Sequence, residues 1–508
     1  MSLSHSTKDI ELDALCAEAR IRHGEALLQQ GQHEAALAIA DEVLAKVQGL
    51  DCAILLRGSV CRALGRFGEA AEAFRILLTS FPDFTAIRIN LANACIELEE
   101  FCQAEVELRE AIKREPGSAA AHATLGSLYL RLDRYDLAEA PTRQALSLDS
   151  SIIIAHQNMA AILALRGDPE AEFHRDAAYV RQQIFVESGT KAPQTALILT
   201  GSGSGNVPYQ YLLPRTQYNR ILWHLEYAPP AQGKELPAHD FVFNAIGDPD
   251  AAGKAQSAAE RIVSELRQPL INRPNRVART LRSAMPGLLA HISGAVMPDT
   301  RRFTNDDGNP RNAILSSGLR FPLILRPAGR HGGEGVRLVR SAGELGHGLA
   351  QCQALYATEF VDYRSMDGWY RKYRMIFVDR EPYPYHLAIG ARWLLHYKSA
   401  DMEADPERCA EEAAFLRDPA AAIGPRAMAA LREIASRIDL DFAGIDFSLL
   451  PDGRVLFFEA NATMLVHPEQ DEVFAYKNQA VSAIVDAVTK MISRHIRVGA
   501  DGEVSSAL

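Results

Sequence analysis

The chain lacks the features that mark several functional classes. Its seven cysteines (Cys16, Cys52, Cys61, Cys95, Cys102, Cys352 and Cys409) are odd in number and widely spaced. None form a C-x-x-C pair, which argues against a disulfide scaffold, a zinc ribbon and a thiol redox motif. Basic charge is not in excess: 54 Lys plus Arg stand against 64 Asp plus Glu, a formal net charge of −10. A phosphate backbone is therefore a poor partner, and no nucleic acid is expected. No apolar run approaches the roughly 18 residues of a membrane span, so no membrane partner is expected either. The opening Met1-Ser2-Leu3-Ser4-His5-Ser6 is polar and has no basic segment leading into an apolar one, so a cytoplasmic location is the expectation. What is present is an ordinary globular composition, 47% hydrophobic and 23% charged, over 508 residues. That length suggests about three or four domains.

Sliding the first third against itself by 34 residues aligns small residues: Gly24, Gly58, Ala92, Gly126 and Ala160. A second column holds Ala36, Ala70, Ala104 and Ala138, and a third holds Gly31 and Gly65. Pro82 and Pro116 close two units at equal phase. Helix pairs approach closely only where side chains are small, and one such unit cannot bury its apolar face alone, so the units must stack. The segment resembles tetratricopeptide repeats, with a final helix expected from Glu170 to Phe185. The resemblance implies an all-α solenoid with a concave groove for a peptide or protein; an assembly or spacer role, including a homo-oligomer, is the alternative reading.

After the polar stretch 187–193 the pattern changes to α/β. Apolar runs at Thr195–Thr200 and Phe241–Ile246 end in Gly201-Ser202-Gly203-Ser204-Gly205-Asn206 and Gly247-Asp248-Pro249-Asp250, and a helical stretch spans Ala251–Leu266. Strand, loop and helix in alternation indicate a parallel sheet with ligand loops at its strand ends. The glycines at 201, 203 and 205 lack the full dinucleotide spacing and an acidic residue about 20 positions on, and a tight turn explains them equally well.

Three later segments carry the chemistry. Phe321 to Val336 reads as a strand, a cation (Arg326) and a glycine-rich turn, Gly332-Gly333-Glu334-Gly335, whose backbone N–H groups could meet phosphate oxygens. Tyr370 to Val378 reads as a strand with Lys372 and Arg374 on one face, suited to an anion. Gly444 to Leu450 and Arg454 to Asn461 read as a hairpin. If the turn spans Pro451 to Arg454, Leu450 pairs with Val455, which sets Asp446 opposite Glu459 and Gly444 opposite Asn461. Two facing carboxylates among Ile445, Phe447, Leu456 and Phe458 repel unless a proton or cation lies between them. Magnesium suits them, with the Asn461 amide oxygen completing an oxygen donor set.

In order and spacing, Arg326, Gly332 to Gly335, Glu359-Phe360-Val361, Arg374, Asp446, Glu459 and Asn461 resemble the ATP-grasp family. The chain reads as multidomain: repeat and composition give a solenoid at 1–186, a linker at 187–193 and a flexible tail at 497–508, and the resemblance implies an α/β domain at 194–272, an α+β ATP-grasp lobe with the glycine loop at 273–363 and a second lobe with the metal hairpin at 364–496. It implies ATP and Mg2+ as cofactors. Asp446, Glu459 and Asn461 would hold the metal, and Arg326 with the glycine loop the phosphates. Glu359-Phe360-Val361 would meet adenine, and Lys372 and Arg374 the γ-phosphate and acyl phosphate. Arginine stands at 326 where the family usually has lysine. Arg279 is the expected second phosphate cation, and His386 and His396 are further residues that could touch substrate.

The activity implied is an ADP-forming ligase joining a carboxylate substrate to an amine acceptor through an acyl phosphate, with the repeats recruiting a peptide or protein. The alternatives are a small-molecule amino-acid ligase whose repeats mediate assembly, a non-catalytic ATP-binding adaptor, and a kinase-like reaction that leaves phosphate on its product.

Overall fold

The computed structural model describes residues 7–189, 192–228, 236–304, 309–330, 333–346, 354–395, 397 and 400–506, with side chains described between 17 and 497. The chain forms two compact units, one of residues Met1–Pro193 with Arg215–Arg220, the other of Gln194–Pro214 with Ile221–Leu508. No helix among the described residues is long and apolar enough to cross a membrane.

The first unit is a row of antiparallel helix pairs: α1 (Thr7–Gln29), α2 (His33–Lys46), α3 (Asp51–Ala63), α4 (Phe67–Ser80), α5 (Thr85–Glu97), α6 (Phe101–Arg114), α7 (Ala119–Arg131), α8 (Tyr135–Leu148), α9 (Ile153–Leu165) and α10 (Glu170–Tyr179). The small-residue column marks the helix crossings. A Cβ on Gly24 would stand 2.6 Å from Leu56, one on Gly58 2.9 Å from Phe74, and one on Gly126 2.3 Å from Thr142 Oγ1. Between the paired helices the chain turns through a left-handed residue every 34 positions: Gly31, Gly65, Glu99, Asp133 and Gly167, with φ of 76°, 71°, 61°, 56° and 67°. A second periodic device was not visible in the sequence. Arg88 donates to Pro82 O (Nη2, 2.8 Å), and His122 and His156 hold Pro116 O and Ser150 O at 3.1 and 3.0 Å, so one side chain clasps the inter-repeat turn in three successive units. The last helix ends at Tyr179, short of the expected Phe185, because the chain then extends into β1 (Ile184–Glu187).

The second unit contains β2 (Gln194–Thr200), β4 (Phe241–Asn244) and β5 (Leu270–Ile271), which pair in parallel. Strand β3 (Tyr218–His224), of which the residues from Ile221 on belong to this unit, precedes β4, and α11 (Gly253–Ile262) follows it. After the short helices α12 (Pro274–Val277) and α13 (Met285–Leu288) and the strand β6 (Ala295–Val296) come β7 (Thr300–Thr304), α14 (Pro310–Ser316), β8 (Leu323–Pro327), β9 (Arg337–Val339) and β10 (Ala354–Glu359). Strands β7 to β10 form an antiparallel sheet in the order β7-β10-β8-β9. A third sheet, ordered β12-β11-β13-β14-β6, is built from β11 (Tyr370–Val378), β12 (Glu381–Gly390), β13 (Phe442–Leu449) and β14 (Val455–Asn461), with β6 parallel at its edge.

Local chemistry explains these boundaries. Asp379 and Arg380 both have positive φ, 49° and 67°, the two-residue turn that matches the twist of a hairpin, and they join β11 to β12. Asp405 and Asp418 cap α15 (Pro406–Arg417) and α16 (Pro419–Ile438), each followed by proline at the first helical position. Helix α17 (Asn478–Ser506) packs on β11 and β12. It continues through most of the stretch expected as a flexible tail at 497–508.

Candidate functional site

The third sheet carries a row of ionisable side chains. Cross-strand partners share a face, and the register places His386 of β12 opposite Arg374 of β11, Arg374 opposite Asp446 of β13, and Asp446 opposite Glu459 of β14, with Gly444 opposite Asn461. The route to this register differs from the one expected. The turn pairs Leu449, not Leu450, with Val455, and a bulge between Asp446 and Phe447 takes up the offset. Phe458 is the extra residue, and the two acids still face one another.

Each acid is gripped by two cations. Arg374 donates to Asp446 through Nε and Nη2 at 2.6 and 3.0 Å, and Lys372 Nζ lies 2.6 Å from Asp446 Oδ2. Glu459 Oε2 accepts from Arg326 Nη1 of the facing sheet at 3.2 Å and from Arg282 Nη2. Asp446 is fully buried. Burial opposes its ionisation, but Arg374 and Lys372 outweigh this and hold its carboxyl well below the usual range. Glu459 is shifted the same way, burial again being overcome by Arg282 and Arg326. Both acids are therefore ionised at neutral pH.

Four members of this cluster, Arg282, Arg326, Lys372 and Glu459, line a cavity between the second and third sheets, and Arg374, Asp446 and Asn461 are not among its lining residues. Thr300, Ile324, Arg326, Tyr356 and Thr358 come from one, and Lys372, Leu456, Phe457, Phe458 and Glu459 from the other. The rest of the lining is mostly apolar, with Met285, Met297, Phe360, Val361, Trp393 and Leu395, and also includes Arg282 and Glu359. Phe360 meets Trp393 edge-on at 5.7 Å, and Phe458 meets Tyr363 at 4.9 Å. Arg282 and Asn461 also line an adjoining hollow with Asp248, Asp250 and Arg330. There Asp250 accepts from Tyr356 Oη at 2.7 Å, and Asn461 Oδ1 accepts from Thr463 Oγ1 at 3.2 Å.

Several sequence-based expectations need correction. Arg279 does not join the cluster. Its Nη2 reaches Arg437 O at 3.2 Å on the surface. Arg282, three residues on, is the cation that arrives, because the 3-10 turn at Ala278–Thr280 carries the chain round before Arg282. No spacing signal distinguished the two. His386 does not line the cavity. It is buried behind Arg374, between Tyr385 and Tyr397 at 5.5 and 5.1 Å, and burial together with Arg374 pushes its pKa well down, leaving it neutral. The Glu359 carboxylate turns to Arg320, accepting from its backbone N and its Nη2, each at 2.9 Å, so only the strand end at Glu359 to Val361 is offered to the cavity. Glu334 is exposed and lies 3.4 Å from Arg330. Gly333 and Gly335 have φ of 77° and 70°, and a Cβ at 335 would stand 2.9 Å from Pro327. Gly332 and His396 lie outside the described residues.

Two other groups have their own explanation. Asn206 closes the loop at 201–206 on itself, accepting from Gly201 N at 2.8 Å and donating to Gly201 O and Gly203 O at 2.9 and 3.0 Å, so that loop is a turn. Asp379, Asp441 and His495 bring ligand atoms within 4.8 Å of one another. Arg380 already bridges both of these acids and Arg494 holds Asp379, so their charge is balanced by protein.

Comparison with known proteins speaks to the first unit. A tetratricopeptide repeat family model matches residues 55–105 and 91–151. Similar solved structures include TTC0263, a thermophilic repeat protein of Thermus thermophilus (23% identity, 33% of this chain and 91% of that one, TM-score 0.30). They also include MamA 41-end from Desulfovibrio magneticus RS-1 (19%, 31% and 90%, TM-score 0.28) and YrrB, described as a repeat protein with an unusual peptide-binding site (22%, 35% and 91%, TM-score 0.28). No curated protein matches the chain. The chain thus has tetratricopeptide repeats in an all-α solenoid followed by a mixed α/β region, and repeats of this kind support a protein-interaction or scaffold role.

Proposed function

We propose that the second unit is an ADP-forming, ATP-grasp-type ligase that joins a carboxylate to an amine through an acyl phosphate, while the repeats present a peptide or protein substrate. The observation that carries this reading is the ionic row. Two ionised acids face one another on one sheet, four cations surround them, and an aromatic cavity opens on the same cluster.

The apolar part of the cavity suits a purine, with the backbone at Glu359 to Val361 available to its edge. Arg282, Arg326, Lys372 and Arg374 suit phosphate oxygens. A planar guanidinium at 326 offers a forked pair of donors where lysine would give a point charge. Asp446, Glu459 and the Asn461 amide oxygen are hard oxygen donors of the kind magnesium takes together with substrate phosphates, so the residues fit that ion. When bound, it would neutralise phosphate charge.

In the reaction, a substrate carboxylate oxygen attacks the γ-phosphorus as the bond to the β,γ-bridging oxygen breaks, releasing ADP. An amine then attacks the acyl carbon, phosphate leaves with the bonding electron pair, and the amine loses a proton. Lys372 and Arg374 hold the transferring phosphoryl group, and Arg282 and Arg326 hold the remaining phosphates. Positioning and fixed charge carry such chemistry without a nucleophilic side chain. The test is phosphate release from ATP with candidate carboxylates and amines. Glu459→Ala is expected to cut the rate at least about a hundredfold, the scale of a lost electrostatic contact in a dry site. A variant as active as the wild type would remove the metal assignment.

A further inference from the structure

The charges in the cluster do not balance. In these contacts four cations, Lys372, Arg374, Arg282 and Arg326, meet two acids, Asp446 and Glu459, and Asp248 lies on the far side of Arg282 in the adjoining hollow. The ion-paired row itself thus has more cations than acids. Both acids of the row are also already committed, Asp446 to a two-point contact with Arg374 and to Lys372, Glu459 to Arg282 and Arg326.

A dication arriving alone meets two obstacles. It is repelled by the cluster, and each acid it takes would leave cations without partners in a place where an unpaired charge is costly. A triphosphate removes both. Its oxygens replace the carboxylates as partners of the arginines and the lysine, and its negative charge reverses the sign of the field.

We propose that this site fills in a fixed order, the triphosphate first and the divalent cation only with it or after it, by an exchange in which Arg374, Lys372, Arg282 and Arg326 pass from the acids to the phosphates. The inference rests on the nucleotide reading above and goes beyond it by making the resting ion pairs a gate against free metal. It has an unusual corollary. Asp446 competes with phosphate for Arg374 and Lys372, so in the absence of metal it weakens nucleotide binding.

The experiment uses the full chain, Mn2+ detected by its paramagnetic resonance, and calorimetry of a non-hydrolysable ATP analogue in EDTA. Without nucleotide, millimolar Mn2+ should stay free. With the analogue present, Mn2+ should bind at one or more sites per chain. In EDTA the analogue should still bind, and Asp446→Asn, which keeps the side-chain shape, should bind it about tenfold more tightly. Lys372→Met, a change on the same strand, should bind it more weakly in the same assay, so the exchange is tested even where the Asp446 variant does not fold. Stoichiometric Mn2+ uptake by the chain alone would overturn the proposal. So would analogue binding that requires metal, although the nucleotide reading would then stand. Failure of the analogue to bind with or without metal would remove both.

Discussion

Glu99 and Asp133 adopt the left-handed backbone that Gly31, Gly65 and Gly167 take at the same phase. A side chain there costs roughly 1–2 kcal/mol, part of which glycine gives back as unfolded-state entropy. Glu99→Gly is therefore expected to stabilise the repeats by about 0.5–1 kcal/mol, measured by urea unfolding. His386 makes a prediction of the opposite sense. Burial and the neighbouring Arg374 keep it neutral when folded, whereas unfolded histidine takes up a proton below about pH 6.5. The unfolded state then binds more protons, so stability is lost as the pH falls. Between pH 7.5 and 5.5 the wild type should lose on the order of 1 kcal/mol more than His386→Gln. His224, pushed by burial to about 4, lowers stability in the same direction in both proteins.

At the scale of elements, the repeat was legible because it is written in residue size. The 34-residue column of small residues states where helices cross, and a Cβ on Gly126 would stand 2.3 Å from the buried Thr142 hydroxyl, which is itself bonded to Ala138 O at 2.7 Å. That hydroxyl cannot swing away freely, so Gly126→Ala should cost about 1–3 kcal/mol in thermal or urea unfolding, whereas Gly117→Ala, with open space around it, should not carry this packing cost. The clasp by Arg88, His122 and His156 was not legible, because the 34-residue column that performs this task holds an arginine and two histidines, too few like residues to stand out. The hairpin register was legible for a partly accidental reason. Its period-2 pattern fixed which residues face the cavity, but the turn and the bulge at Phe458 each shift the pairing by one, and the shifts cancel before Asp446. The choice of Arg282 over Arg279 depended on the path of a single 3-10 turn, which composition does not encode.

Over the whole molecule, a helical unit built by repetition and an α/β unit built around a charged cavity divide the chain at about residue 193. Its formal charge of −10 conceals a local excess of cations in the one place where an anion would be needed. The account rests on that local excess serving a nucleotide. The most direct test is calorimetric titration of Mg·ATP into the intact chain and into Arg326→Met. The expected result is one site per chain, weakened at least about tenfold in the variant; no binding heat with the wild type, or equal affinity in the two proteins, would contradict it.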